Sequence, residues 1–340
     1  MTSRERVLSA IDHCAPDRVP LYILGYDPLS TFLDSFGVAT EVELAEALGM
    51  DAQLCWPAYV GPEIPSDRTI WGTPVPRDTG GYSQSRGGQP LADAETTADV
   101  EAHAWPSADN LDYSRVRAQL DGTGNRARLI GLLWEPTFCR VMDLFGMEQA
   151  MTNMHSQPAL IEAAVERISA YVMEAAERTI RATLGQADIF RYEDDFGTQR
   201  GLMISPAHWR RFFKPVYARV FGLAKSFGLK TWLHACGSFV EVLPDLIDIG
   251  MDVWETSQFH LAANEPRRLK RAFGASMTFY GGISTQSTLP RGSTDSVRRE
   301  VRERIDVLAG DGGYICGPDH LLRGEVPREN LLAMIDEARR

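Results

Sequence analysis

The sequence predicts a (β/α)8 TIM barrel, an α/β fold, and three observations predict it. From residue 128 onward, short apolar runs alternate with helical patterns across short links. Glycine stands where helices stop, at Gly250, Gly274 and Gly310. The apolar runs 19–24, 52–56, 128–134, 188–192, 231–234, 252–254, 277–280 and 313–316 count as eight strands, the number that closes such a barrel. A doubly wound open sheet is the runner-up, but no Gly-x-Gly-x-x-Gly turn follows the first run. We read residues 1–340 as one barrel domain with an N-terminal helical segment and a β-rich insertion at 60–110.

Taken in order, residues 3–14 carry Val7, Leu8, Ile11 and Cys14 at helical spacing, with Ser3 as a cap and Pro16 and Pro20 ending the pattern. Pro20 is confined to the start of the first strand, because proline cannot donate to a ladder. A helix around 40–49 precedes Ala52–Trp56. Between 60 and 110 glycine and proline crowd in, from Gly61 and Pro62 through Pro76, Gly80, Gly81, Gly87, Gly88 and Pro90, as in a β-hairpin excursion. Helices are then expected at 138–151, 158–184, 206–227, 239–249, 265–273, 294–308 and 327–339, each leading into or out of a strand.

Composition narrows the class. A hydrophobic fraction of 44% with 24% charged residues is that of a globular chain. A net charge of -11 and a pI near 5.2 argue against a broad nucleic-acid surface. Five scattered cysteines do not make a disulfide framework, and no apolar window is long enough for a bilayer, so a cytoplasmic setting without a membrane partner is expected.

In this fold, chemistry lies at the C-terminal ends of the strands. That rule selects Glu193, Asp194 and Asp195, then His234 and Cys236, then Glu255 and Gln258, then Gly281 and Gly282, then Cys316 and His320. His234 and Cys236 stand two apart, so both face one side, and imidazole nitrogen with thiolate sulfur is half of a zinc site. Cys316 would supply a third ligand from the eighth strand, with Glu255 as an oxygen ligand in the resting state. The plainer alternative is a core histidine and two small buried thiols. Three protein ligands and one exchangeable position would describe a catalytic zinc. Asp194 and Asp195 could serve as acid or base, orient a substrate, or support the ligands from behind. Gly281 and Gly282 permit close approach of a bulky ligand at the rim, where Gln258 and His320 would also contact a cofactor.

Six stretches resemble the uroporphyrinogen decarboxylase superfamily: Ala15–Pro20, Ala104–Pro106, Asp194–Gln199, His234-x-Cys236-Gly237, Phe279–Ser284 and Glu325–Asn330. The resemblance implies a (β/α)8 fold. The stretch Leu21–Asp27 lacks the arginine-rich signature of the decarboxylase proper, and the His-x-Cys…Cys pattern is similar to the cobamide-dependent methyltransferase branch. That branch implies zinc on His234, Cys236 and Cys316, a corrinoid (methylcobamide) supplied by a separate corrinoid-binding protein, and a small thiol or methoxylated substrate. It also suggests a homodimer. The rivals are a decarboxylase acting on a carboxylated substrate through Asp194 or Asp195, and a non-catalytic protein that binds a corrinoid or metal.

Overall fold

The computed structural model describes residues 1–75, 88–132 and 135–340. Its frame is a curled parallel sheet of seven strands. In chain order they are β1 (Ala52–Cys55), β2 (Ala127–Gly131), β3 (Ile189–Glu193), β4 (Lys230–His234), β5 (Val253–Glu255), β6 (Thr278–Ile283) and β7 (Tyr314–Pro318), each hydrogen-bonded to the next. Helices cross over between successive strands, as a parallel ladder requires.

The expected first strand at 19–24 closes the ring without becoming a regular strand. Cys316 N–H donates to Pro20 O at 2.8 Å and Tyr22 N–H to Cys316 O at 3.1 Å, while Asp51 N–H reaches Leu21 O at 2.7 Å across the other edge. Pro20 has no N–H to give, and the N–H of Leu21 goes to the carboxylate of Asp51 at 2.8 Å. The segment therefore bridges β7 and β1 with only part of a ladder. This is a (β/α)8 barrel whose eighth position is held partly by a side chain.

Side-chain alternation divides the core in two. Tyr22, Ala52, Ala127, Leu129, Ile189, Trp232, Val253, Tyr280 and Ile315 fill the lumen, and helix α1 (Ser3–Ile11) sends Val7, Ala10 and Ile11 into the same cluster. Ile130, Phe190, Leu233, Trp254, Phe279, Tyr314 and Cys316 face the other way, into the larger core beneath the helices. Helix α1 thus seals the N-terminal end of the barrel, with Gly313 N–H bonded to Ala10 O at 2.7 Å.

Most expected helices are present with shifted ends. The stretch expected at 138–151 breaks at Gly146 (φ 85°) into α2 (Thr137–Phe145) and α3 (Met147–Ser156). The next is α4 (Pro158–Ala182). The stretch at 206–227 breaks before Pro215 into α5 (Pro206–Phe212) and α6 (Lys214–Ser226). The excursion after β1 is bracketed by a short antiparallel pair, Ala58–Tyr59 with Leu111–Asp112. Within it, Thr97–Ala102 is a helix closed by a Thr96/Asp99 capping box, where a hairpin was expected. Pro76, Gly80, Gly81 and Gly87, and the end of the expected strand at Leu133 and Trp134, lie outside the described residues. No helix among the described residues is long and apolar enough to cross a membrane.

Candidate metal centre at the barrel mouth

The site is built upward from a buried cation. Arg191 shares the parity of Ile189 on β3, so its side chain enters the lumen, where it is 5% exposed. Its Nε and Nη2 donate to the two oxygens of Glu255, each at 2.8 Å, and its Nη1 donates to Glu193 Oε2. Such a forked contact is the strong geometry for a guanidinium and a carboxylate. Burial alone would push the Glu255 carboxyl up, but Arg191 and His234 outweigh it and hold it well below the usual carboxylate range. For Glu193 burial wins, and its carboxyl is raised.

Glu255 also fixes the histidine. His234 Nδ1 donates to Glu255 Oε1 at 2.7 Å, and the Trp232 indole donates to Oε2. With Nδ1 committed, Nε2 is left to point at Cys236 Sγ, 3.7 Å away. This is the arrangement in which a carboxylate behind a ligating histidine sets its tautomer and ring orientation. Burial lowers the His234 pKa, and the hydrogen bond and charge of Glu255 raise it by more, for a net upward shift.

The third group is His320. One donor atom from each of His234, Cys236 and His320 lies within 4.8 Å of the others. Burial, with the neighbouring His234 charge, lowers the His320 pKa to about 4, which leaves a neutral imidazole at neutral pH. Two imidazoles and a thiol are donors that zinc accepts. Zinc bonds of about 2.0–2.3 Å put neighbouring N and S donors about 3.3–3.7 Å apart in a tetrahedron. The spacing of 3.7 Å between Nε2 and Sγ matches such an edge.

Cys316 is a correction. It lies in the middle of β7, two residues short of the strand's end, where it pairs in register with Gly281 and faces outward beside Tyr314, opposite in parity to lumen-facing Ile315 and Tyr280. Counting strand ends without their parity assigned it to the wrong side of the sheet. It is fully buried, and burial pushes its thiol up to about 12. Glu255 is likewise not placed as a metal ligand, because both of its oxygens serve Arg191, Trp232 and His234.

The other expected site residues divide. Asp194 is a structural acceptor: it receives the N–H groups of Phe138 (2.6 Å), Cys139 (3.0 Å) and Asp195 (3.0 Å) and the hydroxyl of Tyr217 (2.7 Å), tying the start of α2 to β3. Asp195 faces the trio, with Oδ1 2.7 Å from Cys236 N and 3.9 Å from His234 Nε2. Gln258 shapes the turn, its Oε1 accepting from Gly237 N at 2.8 Å. Gly281 and Gly282 (φ 103° and 90°) are buried in β6, and a Cβ at Gly282 would lie 2.6 Å from the Phe259 ring, so a neighbouring side chain fills the space expected for a cofactor.

Sequence reasoning missed Arg191, although an arginine two residues past lumen-facing Ile189 on a buried strand was a readable signal. It also missed Glu135. The Trp71 indole donates to Glu135 Oε2 at 2.7 Å, and burial raises the Glu135 carboxyl to about 7, against the opposing pull of Arg140. An acid raised in the folded state favours folding while it is protonated in both states, and this gain is lost as pH climbs through about 7. Wild-type stability toward urea should therefore fall between pH 5 and pH 8 by about 2–3 kcal/mol more than that of Glu135→Gln. Equal slopes for the two proteins would refute this assignment.

Fold and donor set together define a (β/α)8 protein with a metal-capable mouth. A model of the family described as uroporphyrinogen decarboxylase (URO-D) matches residues 95–340, and the chain belongs to that family. A uroporphyrinogen decarboxylase from Syntrophotalea carbinolica is 27% identical over 140 residues, 40% of this chain and 38% of that relative. The matched stretch thus spans well under half of the relative's length. Among solved structures, a methyltransferase from Methanosarcina mazei superposes with a TM-score of 0.71 at 21% identity, covering 99% of this chain and 98% of that one. At that identity the likeness speaks for the fold.

Proposed function

We propose that the chain is a zinc-dependent methyltransferase that moves a methyl group between a corrinoid carried by a partner protein and a small thiol or methoxylated substrate. One observation carries the reading: Glu255 occupies His234 Nδ1 and leaves Nε2 converging with Cys236 and His320 at the open end of the barrel. A catalytic zinc keeps three protein ligands and one exchangeable place, and this donor set suits it. Bound there, zinc would supply the positive charge that makes a coordinated thiol ionise at neutral pH or polarises a methoxy oxygen. The protein's own part is to orient and to exclude water. Glu255 and Arg191 hold the imidazole, and Gln258 and Asp195 hold the turn that carries Cys236.

The reading keeps one barrel domain, a cytoplasmic setting and a homodimer as its context. A decarboxylase is the rival that the Syntrophotalea relative brings in. It draws no support from Asp194, whose oxygens are committed to four donors.

Metal analysis with a transfer assay tests the proposal. About one zinc per chain is expected in the wild type and in Cys316→Ala, and almost none in Cys236→Ala. Methyl transfer from methylcobalamin to a thiol panel, or from methoxylated compounds to cobalamin in its reduced cobalt(I) form, should follow the zinc. A zinc-free wild type, or a Cys236→Ala protein that keeps full transfer, would sink the idea.

A further inference from the structure

The fourth metal position is open to a carboxylate other than Glu255. Two loops meet at the barrel mouth, 195–198 after β3 and 235–238 after β4, and they touch backbone to backbone. A Cβ on Gly197 would lie 2.6 Å from Cys236 O, and one on Gly237 (φ 81°) 2.6 Å from the Gly197 carbonyl carbon. Only glycine at both positions lets the loops approach so closely. Ser238 N–H then donates to Thr198 O at 2.8 Å and closes the contact.

That contact carries Asp195 beside His234 and Cys236. Its own N–H is anchored on Asp194 Oδ1 at 3.0 Å, and its C=O lies 3.4 Å from Cys139 Sγ. Its Oδ1 accepts from Cys236 N at 2.7 Å and stands 3.9 Å from His234 Nε2. The side chain is 16% exposed, so it is largely buried but still reached by solvent.

We infer that Asp195 is the fourth ligand of the metal held by His234, Cys236 and His320, the place that Glu255 is too committed to take. A carboxylate oxygen is an accepted zinc donor, with bonds of about 2.0–2.2 Å, and with Asp195 the residues that would hold the ion offer N, S, N and O. With zinc bound, a carboxylate in that place would be a ligand that a substrate sulfur or oxygen could replace. The inference rests on the zinc reading above and adds the identity of the resting ligand.

The test needs no turnover. Zinc affinity is measured by competition with a chromophoric chelator, and the Co2+-substituted protein is followed by visible absorption. Asp195→Asn keeps a carbonyl oxygen for the Cys236 N–H while removing the anionic donor, and Asp195→Ala removes both. Both variants should bind zinc at least ~10-fold more weakly than the wild type, with altered cobalt ligand-field bands and a retained thiolate-to-cobalt band. If Asp195→Ala fails to fold, Asp195→Asn alone carries the comparison. Unchanged affinity overturns the inference, and so does weaker binding with an unchanged cobalt spectrum, which would put Asp195 outside the coordination sphere. A wild type that takes up neither metal overturns the functional reading itself, and the ligand assignment with it.

Discussion

Replacing Arg191 by leucine should cost about 3–5 kcal/mol of stability, because it leaves Glu255 and Glu193 buried without their counter-charge. Against a typical total of about 5–15 kcal/mol, that loss takes the protein close to unfolding at ambient temperature. Urea denaturation monitored by tryptophan fluorescence measures it. The pH dependence identifies the cause. In the wild type the Glu255 carboxyl is held below its ordinary value, so its contribution is present above about pH 4.5 and is lost as acid protonates it. Without Arg191, burial raises both carboxyls, so the variant should gain relative to wild type as pH falls from 7 toward 4.5. Adding Glu193→Gln to Arg191→Leu should restore part of the loss, since a neutral amide costs less to bury than a charge. A variant within 1 kcal/mol of wild type would show that the lumen is wet enough to solvate the carboxylates.

Asp51→Ala should be comparably damaging at the opposite end of the barrel. Asp51 is fully buried and accepts from Arg6 Nη1 at 2.7 Å, Arg18 Nη1 at 2.7 Å and the Leu21 N–H at 2.8 Å. Its removal takes an acceptor from Arg6, which keeps Asp17, and the counter-charge from Arg18, and it deletes one of the few bonds that hold the closing segment in the ring. Destabilisation of about 3–5 kcal/mol is expected. Limited proteolysis separates this effect from uniform weakening: the first cuts should fall within residues 1–24, and Asp51→Asn should lie between the alanine variant and the wild type. Cleavage at wild-type rates would mean that α1 is retained by its apolar contacts alone.

How much was legible in the sequence differs between frame and site. Strand and helix alternation revealed the barrel because both periods are local and each crossover repeats the same pattern. The closing segment was legible as the first strand, but its incomplete ladder was not, since that depends on Asp51, whose pairing with Leu21 no local pattern announces. His234 and Cys236 were readable because a spacing of two needs only strand geometry. Cys316 was misplaced for want of parity: a terminus says which end of the barrel a residue occupies, whereas register says which side of the sheet it faces. His320 was named but given a cofactor role, because it lies past β7, where alternation no longer applies. Glu255 was named too. Its duty behind the histidine could not be read, because it depends on Arg191 from a strand that lies sixty-odd residues earlier in the chain.

The seal that α1 forms has a kinetic consequence. With Val7, Ala10 and Ile11 packed under the lumen, the barrel is a cup and not a tube. If the proposed function holds, a small substrate and a large methyl carrier would use the same opening, and the larger partner would cover it. Under the proposed reading the order of arrival is set by shape: the small molecule enters first, the carrier docks over it, and they part in reverse. Steady-state kinetics should accordingly give intersecting rather than parallel lines, and excess carrier should inhibit by trapping empty cups.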